Sequence, residues 1–192
     1  MTNLNLETQT IAIFIAFLSI IWSAITYYLT YLRKAKLKAL YPRLLAFSKL
    51  EKGIANVVIT IPLVFVNSGA RMGIVEDMKL VVNHNNEQSI FLWQTELDST
   101  PPRKKRPTMA SSFSIKGQGS IVKLCGFVAD LPKYSFSEGK YTAKLMIMNQ
   151  EAWKHCITFG FELNSKDIQH IEKGDMYISF NITPIEAHEV KL

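Results

Sequence analysis

Cysteine is scarce in this chain: of its 192 residues only Cys125 and Cys156 carry a thiol. That number is too small for a disulfide-stapled scaffold, which draws its stability from several bridges. Both cysteines lie in apolar, strand-like runs, where a free thiol acts as a small buried hydrophobe. Histidine is nearly as sparse, with His84, His155, His170 and His188, and none makes an HExxH or comparable metal-ligand spacing. His155 and Cys156 are adjacent, so on a strand they point to opposite faces and cannot readily share a metal. Also missing are a Gly-x-Ser-x-Gly elbow, a phosphate-binding Gly-x-x-x-x-Gly-Lys loop and a dinucleotide fingerprint. Acidic pairs such as Glu76 and Asp77, or Glu186 and Glu189, read as solvated charges. No catalytic residue, metal site or cofactor is expected, and the chain reads as non-enzymatic.

A third absence is of charge. From Ile11 to Leu32 no residue is charged, which at ~1.5 Å per residue gives ~33 Å of helix against ~30 Å of hydrocarbon. Such a run predicts one transmembrane helix. Tyr27, Tyr28 and Tyr31 gather at its C-terminal end as an interfacial aromatic belt. Ala12, Ala16, Ser19 and Ser23 are spaced for close helix packing. The tail 1–10 contains Glu7 and neither Lys nor Arg, whereas a cleaved signal peptide carries a basic segment there. The bases lie on the other side of the run, so the positive-inside rule predicts an external N-terminus and a cytoplasmic C-terminal domain.

The net charge is +6, and six of the 22 Lys and Arg residues (Arg33, Lys34, Lys36, Lys38, Arg43 and Lys49) follow the apolar run directly. The charge excess thus belongs largely to the anchor and does not call for nucleic acid. Over Arg33 to Leu50 the spacing of Leu37, Leu40, Leu44 and Phe47 predicts an amphipathic helix, ended or kinked at Pro42. The segment 33–55 is expected to be a basic juxtamembrane element suited to anionic lipid.

After Gly53 the apolar period changes to two. Ile59, Ile61, Leu63 and Phe65 mark a strand over Asn56 to Asn67, with Pro62 arguing for an edge or a bulge. Further strands are predicted at Ile74–Val82, Ser89–Gln94, Ser111–Ile115, Ser120–Val128, Tyr141–Met148, His155–Leu163 and Tyr177–Thr183. Turn residues separate them at 83–86, 117–119, 138–139, 149–150 and 173–174. One helical insert is predicted at Ser165–Glu172, capped by Ser165. Short strands at this spacing predict an all-β, immunoglobulin-like antiparallel sandwich over 56–192, with a barrel as the alternative. Trp93 and Trp153 fit core or sheet-face positions better than base-stacking platforms.

The run Phe65-Val66-Asn67-Ser68-Gly69, followed by Ile74 to Val82, resembles the early strands of bacterial and archaeal immunoglobulin-like modules of the adhesion-related and late-embryogenesis-abundant types. The resemblance implies a binding or spacer domain without catalytic residues.

The sharpest polar feature is Arg103-Lys104-Lys105-Arg106, bracketed by prolines that keep it extended as a loop. With Arg33, Lys34, Lys36 and Lys38 it makes up the candidate contacts to an anionic surface. Phosphate groups of anionic lipid or, less compatibly with an anchor, of nucleic acid would be its ligands. The expected role is that of a single-pass cell-membrane protein presenting loops or an edge strand to a cytoplasmic protein partner. The alternatives are the phosphate-binding role and that of an accessory subunit of a membrane enzyme.

Overall fold

The computed structural model describes residues 2–49, 57–98, 108–131, 134–149 and 152–191. Helix α1 (Thr2–Tyr27) ends in a wider, π-type turn over Tyr28–Leu32. The stretch Thr10–Leu32 is long and apolar enough to cross a membrane, and the rest of the chain buries none of it. Phe14, Trp22 and Tyr31 stand open to the surroundings.

Arg33 leaves the helix with extended backbone, and the chain enters a sheet at once. The amphipathic helix expected over Arg33 to Leu50 does not form: β1 (Lys36–Leu40) and β2 (Leu45–Lys49) take its place. The buried residues are Leu37, Ala39, Leu45 and Phe47, a period of two, while Leu40 is exposed. The segment carries both periods, but Pro42 is incompatible with a helix interior. Pairing with a long neighbouring strand also satisfies the backbone, so tertiary context overrides the local pattern. Residues 36–49 therefore belong to the β-domain rather than to a separate juxtamembrane element.

That neighbour is β3 (Val57–Asn67), which pairs through Leu37↔Asn67 to Leu40↔Val64 with β1 and through Ala46↔Thr60 to Lys49↔Val57 with β2. Between the two sets Tyr41–Leu45 faces the shorter stretch Ile61–Leu63. Pro62 sits opposite this bulged break, as the missing N–H of a strand proline requires. The chain continues through β4 (Gly73–Val75), β5 (Asp77–His84), β6 (Glu87–Asp98), β7 (Thr108–Met109), β8 (Phe113–Ile115) and β9 (Ser120–Ala129). It is completed by β10 (Gly139–Asn149), β11 (Ala152–Leu163), α2 (Ser165–Glu172), β12 (Tyr177–Ser179), β13 (Ile182–Ala187) and β14 (Val190–Lys191).

One antiparallel sheet runs in the order β12-β2-β3-β9-β6-β5-β10-β11-β13. From β13 only His188 and Glu189 lead into β14, which pairs with β1, which in turn pairs with β3. The sheet thereby curls round until it nearly closes, sandwich-like, over a core that includes Phe47, Phe65, Phe91, Phe127 and Phe159. Two predicted strands are split. Ile74–Val82 divides at Glu76, with β4 peeling off to pair with β8. Tyr177–Thr183 divides at Phe180-Asn181 into β12 and the start of β13. The hairpin between β5 and β6 turns on Asn85 and Asn86, both with positive φ, the conformation that a two-residue hairpin needs. Asn164, not Ser165, caps α2. Its Oδ1 accepts from the Lys166 and Asp167 amides, while Asp167 Oδ2 accepts from the Asn164 amide, a complete capping box.

Candidate functional site: the two ends of the sheet

Strand direction sorts the surface into two ends. β1 starts beside the helix and β3 returns to it, so the C-terminal end of β3, the N-terminal end of β9 and the C-terminal end of β6 all lie on the helix-proximal side.

At that side Asn67 ties the junction. Its Oδ1 accepts from the Lys36 amide (3.1 Å) and the Gly69 amide (2.9 Å). Its Nδ2 donates to the carbonyls of Arg71 (2.8 Å), Ile115 and Lys116 (both 3.2 Å). The Ala70 and Arg71 amides donate to the Arg33 carbonyl, so the residue that follows the helical segment is held by the loop after β3. Gly69 lies so close to the Lys34 carbonyl that a Cβ there would collide with backbone.

This packing gathers a cationic collar. Arg33, Lys34, Lys36 and Arg71 line a groove with Tyr28 and Leu32, apolar toward the helix and basic toward the domain. The exposed Lys116 lies on the β8–β9 turn held by Asn67. Of the candidate bases read from the sequence, Arg33 and Lys34 belong to the collar. Lys36 spends its charge on Glu189 (3.0 Å), whose carboxyl is held below the usual range by the Ser68 hydroxyl and then by Lys36. Lys38 is exposed on β1 and does not line the groove. Arg103, Lys104, Lys105 and Arg106 lie outside the described residues, although β6 ends and β7 begins on the helix-proximal side. Arg71 and Lys116 escaped the sequence reading because each is a single base in a turn. The loop after β3 brings Arg71 against Arg33, and the β8–β9 turn brings the Lys116 carbonyl to Asn67 at the same junction.

The opposite end has another character. β12 ends the sheet and pairs only with β2 among the described residues. Ile178 on this strand, and Met176 and Phe180 just before and after it, are 43%, 69% and 71% exposed. Next to it opens a cleft lined by Lys140, Glu162, Asp167, Tyr177, Asn181 and Ile185, among others. Asp167 is committed to the α2 cap, and burial followed by its hydrogen bond to Asp167 raises the Tyr177 pKa. Neither group is placed as a free acid or base.

The thiols are equally unsuited to chemistry. Burial, then Glu96, pushes Cys125 up to about 12, and burial pushes Cys156 to about 11, whereas a nucleophilic cysteine needs a lowered pKa. Trp93 is buried in the core, and the Lys79 ammonium stands 4.1 Å from the centroid of the Trp153 ring on β11.

Among the described residues, one set of metal-type donors does come together. His155, Glu186 and His188 hold their ligand atoms within 4.8 Å of one another. The spacing Glu186-x-His188 puts two donors on one face of an extended segment, a pattern unlike the helix-type HExxH spacing. Burial and then the neighbouring His188 lower the His155 pKa. Comparison with protein-family models, curated proteins and solved structures finds no match for this chain.

Proposed function

We propose that this protein is a single-pass, membrane-tethered, non-enzymatic interaction domain. Its N-terminus is external, and its β-domain holds an extended segment of a cytoplasmic protein partner along β12. The observation that carries the reading is the exposed apolar run of Met176, Ile178 and Phe180, centred on the terminal strand β12 with Met176 and Phe180 just before and after it. Sheet ends are normally blunted with charge or covered, because an apolar, unpaired strand invites pairing. Strand addition uses such an edge for main-chain hydrogen bonds and its side-chain row for specificity. A partner in the cytoplasm would meet this end first, with the anchor holding the other end at the bilayer.

A photo-crosslinking side chain at position 180 should trap one discrete cytoplasmic protein in intact cells. The same probe at position 38 should not, and Ile178→Lys should abolish the adduct. An adduct of equal strength from both positions, or capture of an extracellular protein, would refute the reading.

The collar favours a second, compatible role in which Arg33, Lys34, Arg71 and Lys116 hold anionic headgroups. Each base near an anionic surface contributes about 1 kcal/mol. In nanodiscs containing an anionic lipid, amides of 68–73 and 116–119 should exchange more slowly than in neutral ones. That protection should fall with salt and largely vanish in Lys34→Ser/Arg71→Ser. Protection indifferent to lipid charge would exclude the role.

A further inference from the structure

We propose that His155, Glu186 and His188 form a site for a borderline divalent transition-metal ion such as Zn2+, Co2+ or Ni2+, bridging β11 and β13 where the sheet closes. The register explains how the three residues meet. Glu186 pairs with Thr158, and the His188 amide donates to the Cys156 carbonyl at 2.8 Å, so β13 continues alongside β11 past its last regular pair. Alternation along the strand puts Glu186 and His188 on one face.

His155 would face the core with Ile157 if β11 were regular. Against β10, however, Leu145 pairs with Ile157 and Met146 with His155. Cys156 is the extra residue of this bulge, and both Cys156 and Ile157 are fully buried. The bulge turns His155 outward with Thr158, and its Nε2 lies 2.7 Å from Thr158 Oγ1. Bulges commonly re-aim a side chain in this way. A second irregularity, between Thr158 and Phe159, precedes Glu186 on the partner strand.

The result is two imidazoles and a carboxylate on one patch. The rings of His155 and His188 are 4.6 Å apart at 58°, and His188 Nε2 lies 2.7 Å from Glu186 Oε1. Two nitrogens and one oxygen are a donor set for Zn2+ and its neighbours, not for Mg2+ or Ca2+, which take oxygen. Ligand bonds of about 2.0–2.1 Å in a tetrahedron put donors roughly 3.3 Å apart. The three ligand atoms, already within 4.8 Å of one another, would fit around an ion once the His188–Glu186 contact widens from 2.7 Å and His155 draws in. Glu186 and His188 are half-exposed, which leaves the remaining coordination positions to water. Thr158 holds the His155 ring as an outer partner. A bound ion would staple β13 to β11 immediately before the chain enters β14, the strand that closes the sheet on β1.

The test is a Co2+ titration of the full chain in detergent micelles, purified without a polyhistidine tag. The expected result is one Co2+ per chain, with visible d–d absorption that Zn2+ abolishes, and a higher Tm with Zn2+ present. His155→Ala and His188→Ala should each weaken binding by more than about tenfold, and Thr158→Val by about tenfold, the range for outer-partner losses. His84→Ala and His170→Ala should leave it unchanged. Glu186→Gln should bind more weakly while retaining the wild-type circular dichroism, which separates ligand loss from unfolding. Absence of stoichiometric Co2+ binding, or binding undiminished in the His155→Ala/His188→Ala double variant, would overturn the proposal and leave only a surface contact between His188 and Glu186.

Discussion

Replacing Asn67 with alanine lowers the melting temperature of the β-domain by roughly 10 °C, because it strands several buried backbone groups at once. The wild-type side chain is 1% exposed and serves two amides and three carbonyls. An unmade buried hydrogen bond costs about 1–3 kcal/mol per group. Even if water reaches some of these groups, the loss is about 3–5 kcal/mol. Asn67→Asp is the informative companion. It keeps the acceptor for Lys36 and Gly69 but turns a carboxylate oxygen toward three carbonyls, so it should be no milder than alanine. Hydrogen exchange should then quicken at Ala70, Arg71 and Gln118, whose amides are held by the Arg33 and Gly69 carbonyls. A melt of Asn67→Ala within about 1 °C of wild type would show that the junction does not depend on this side chain.

Lys123→Met alone should destabilise the domain by about 3–5 kcal/mol, whereas Glu96→Leu/Lys123→Met should return it to near wild-type stability or above. The Lys123 ammonium lies 3.3 Å from Glu96 Oε1, with the two side chains only 9% and 10% exposed, and 5.4 Å from the centroid of the Phe113 ring. Ser111 donates to the same carboxylate oxygen, while Glu96 Oε2 is buried without a partner among the described residues. Removing the cation leaves an anion whose desolvation is no longer offset. Removing both charges takes away the attraction and both desolvation costs together. Chemical denaturation of the two variants and wild type decides the matter: a double variant as unstable as the single one would mean that the pair contributes net stability.

Much of this protein is written locally in its sequence. The uncharged stretch from Ile11 to Leu32 determines a helix that can cross a membrane, because length and the absence of charge are properties of the segment itself. Alternation at Ile59, Ile61, Leu63 and Phe65, and the turn at Asn85-Asn86, specify strands and a hairpin for the same reason: the neighbours that matter are two or three residues away. Legibility ends where two local patterns compete or where partners lie far apart in sequence. Residues 36–49 carry helical and strand periods together, and pairing with β3 decides between them.

The collar depends on Arg71 being returned to Arg33 by the loop after β3 and on Lys116 being tied to the same junction through Asn67, and the apolar run around β12 lies at an edge only because the sheet stops there. The His155, Glu186 and His188 cluster needs a bulge at Cys156, which reverses the face that simple alternation assigns to His155. Local propensity determined which segments become helix or strand; register, bulges and sheet order, set by packing of the whole core, decided which side chains meet.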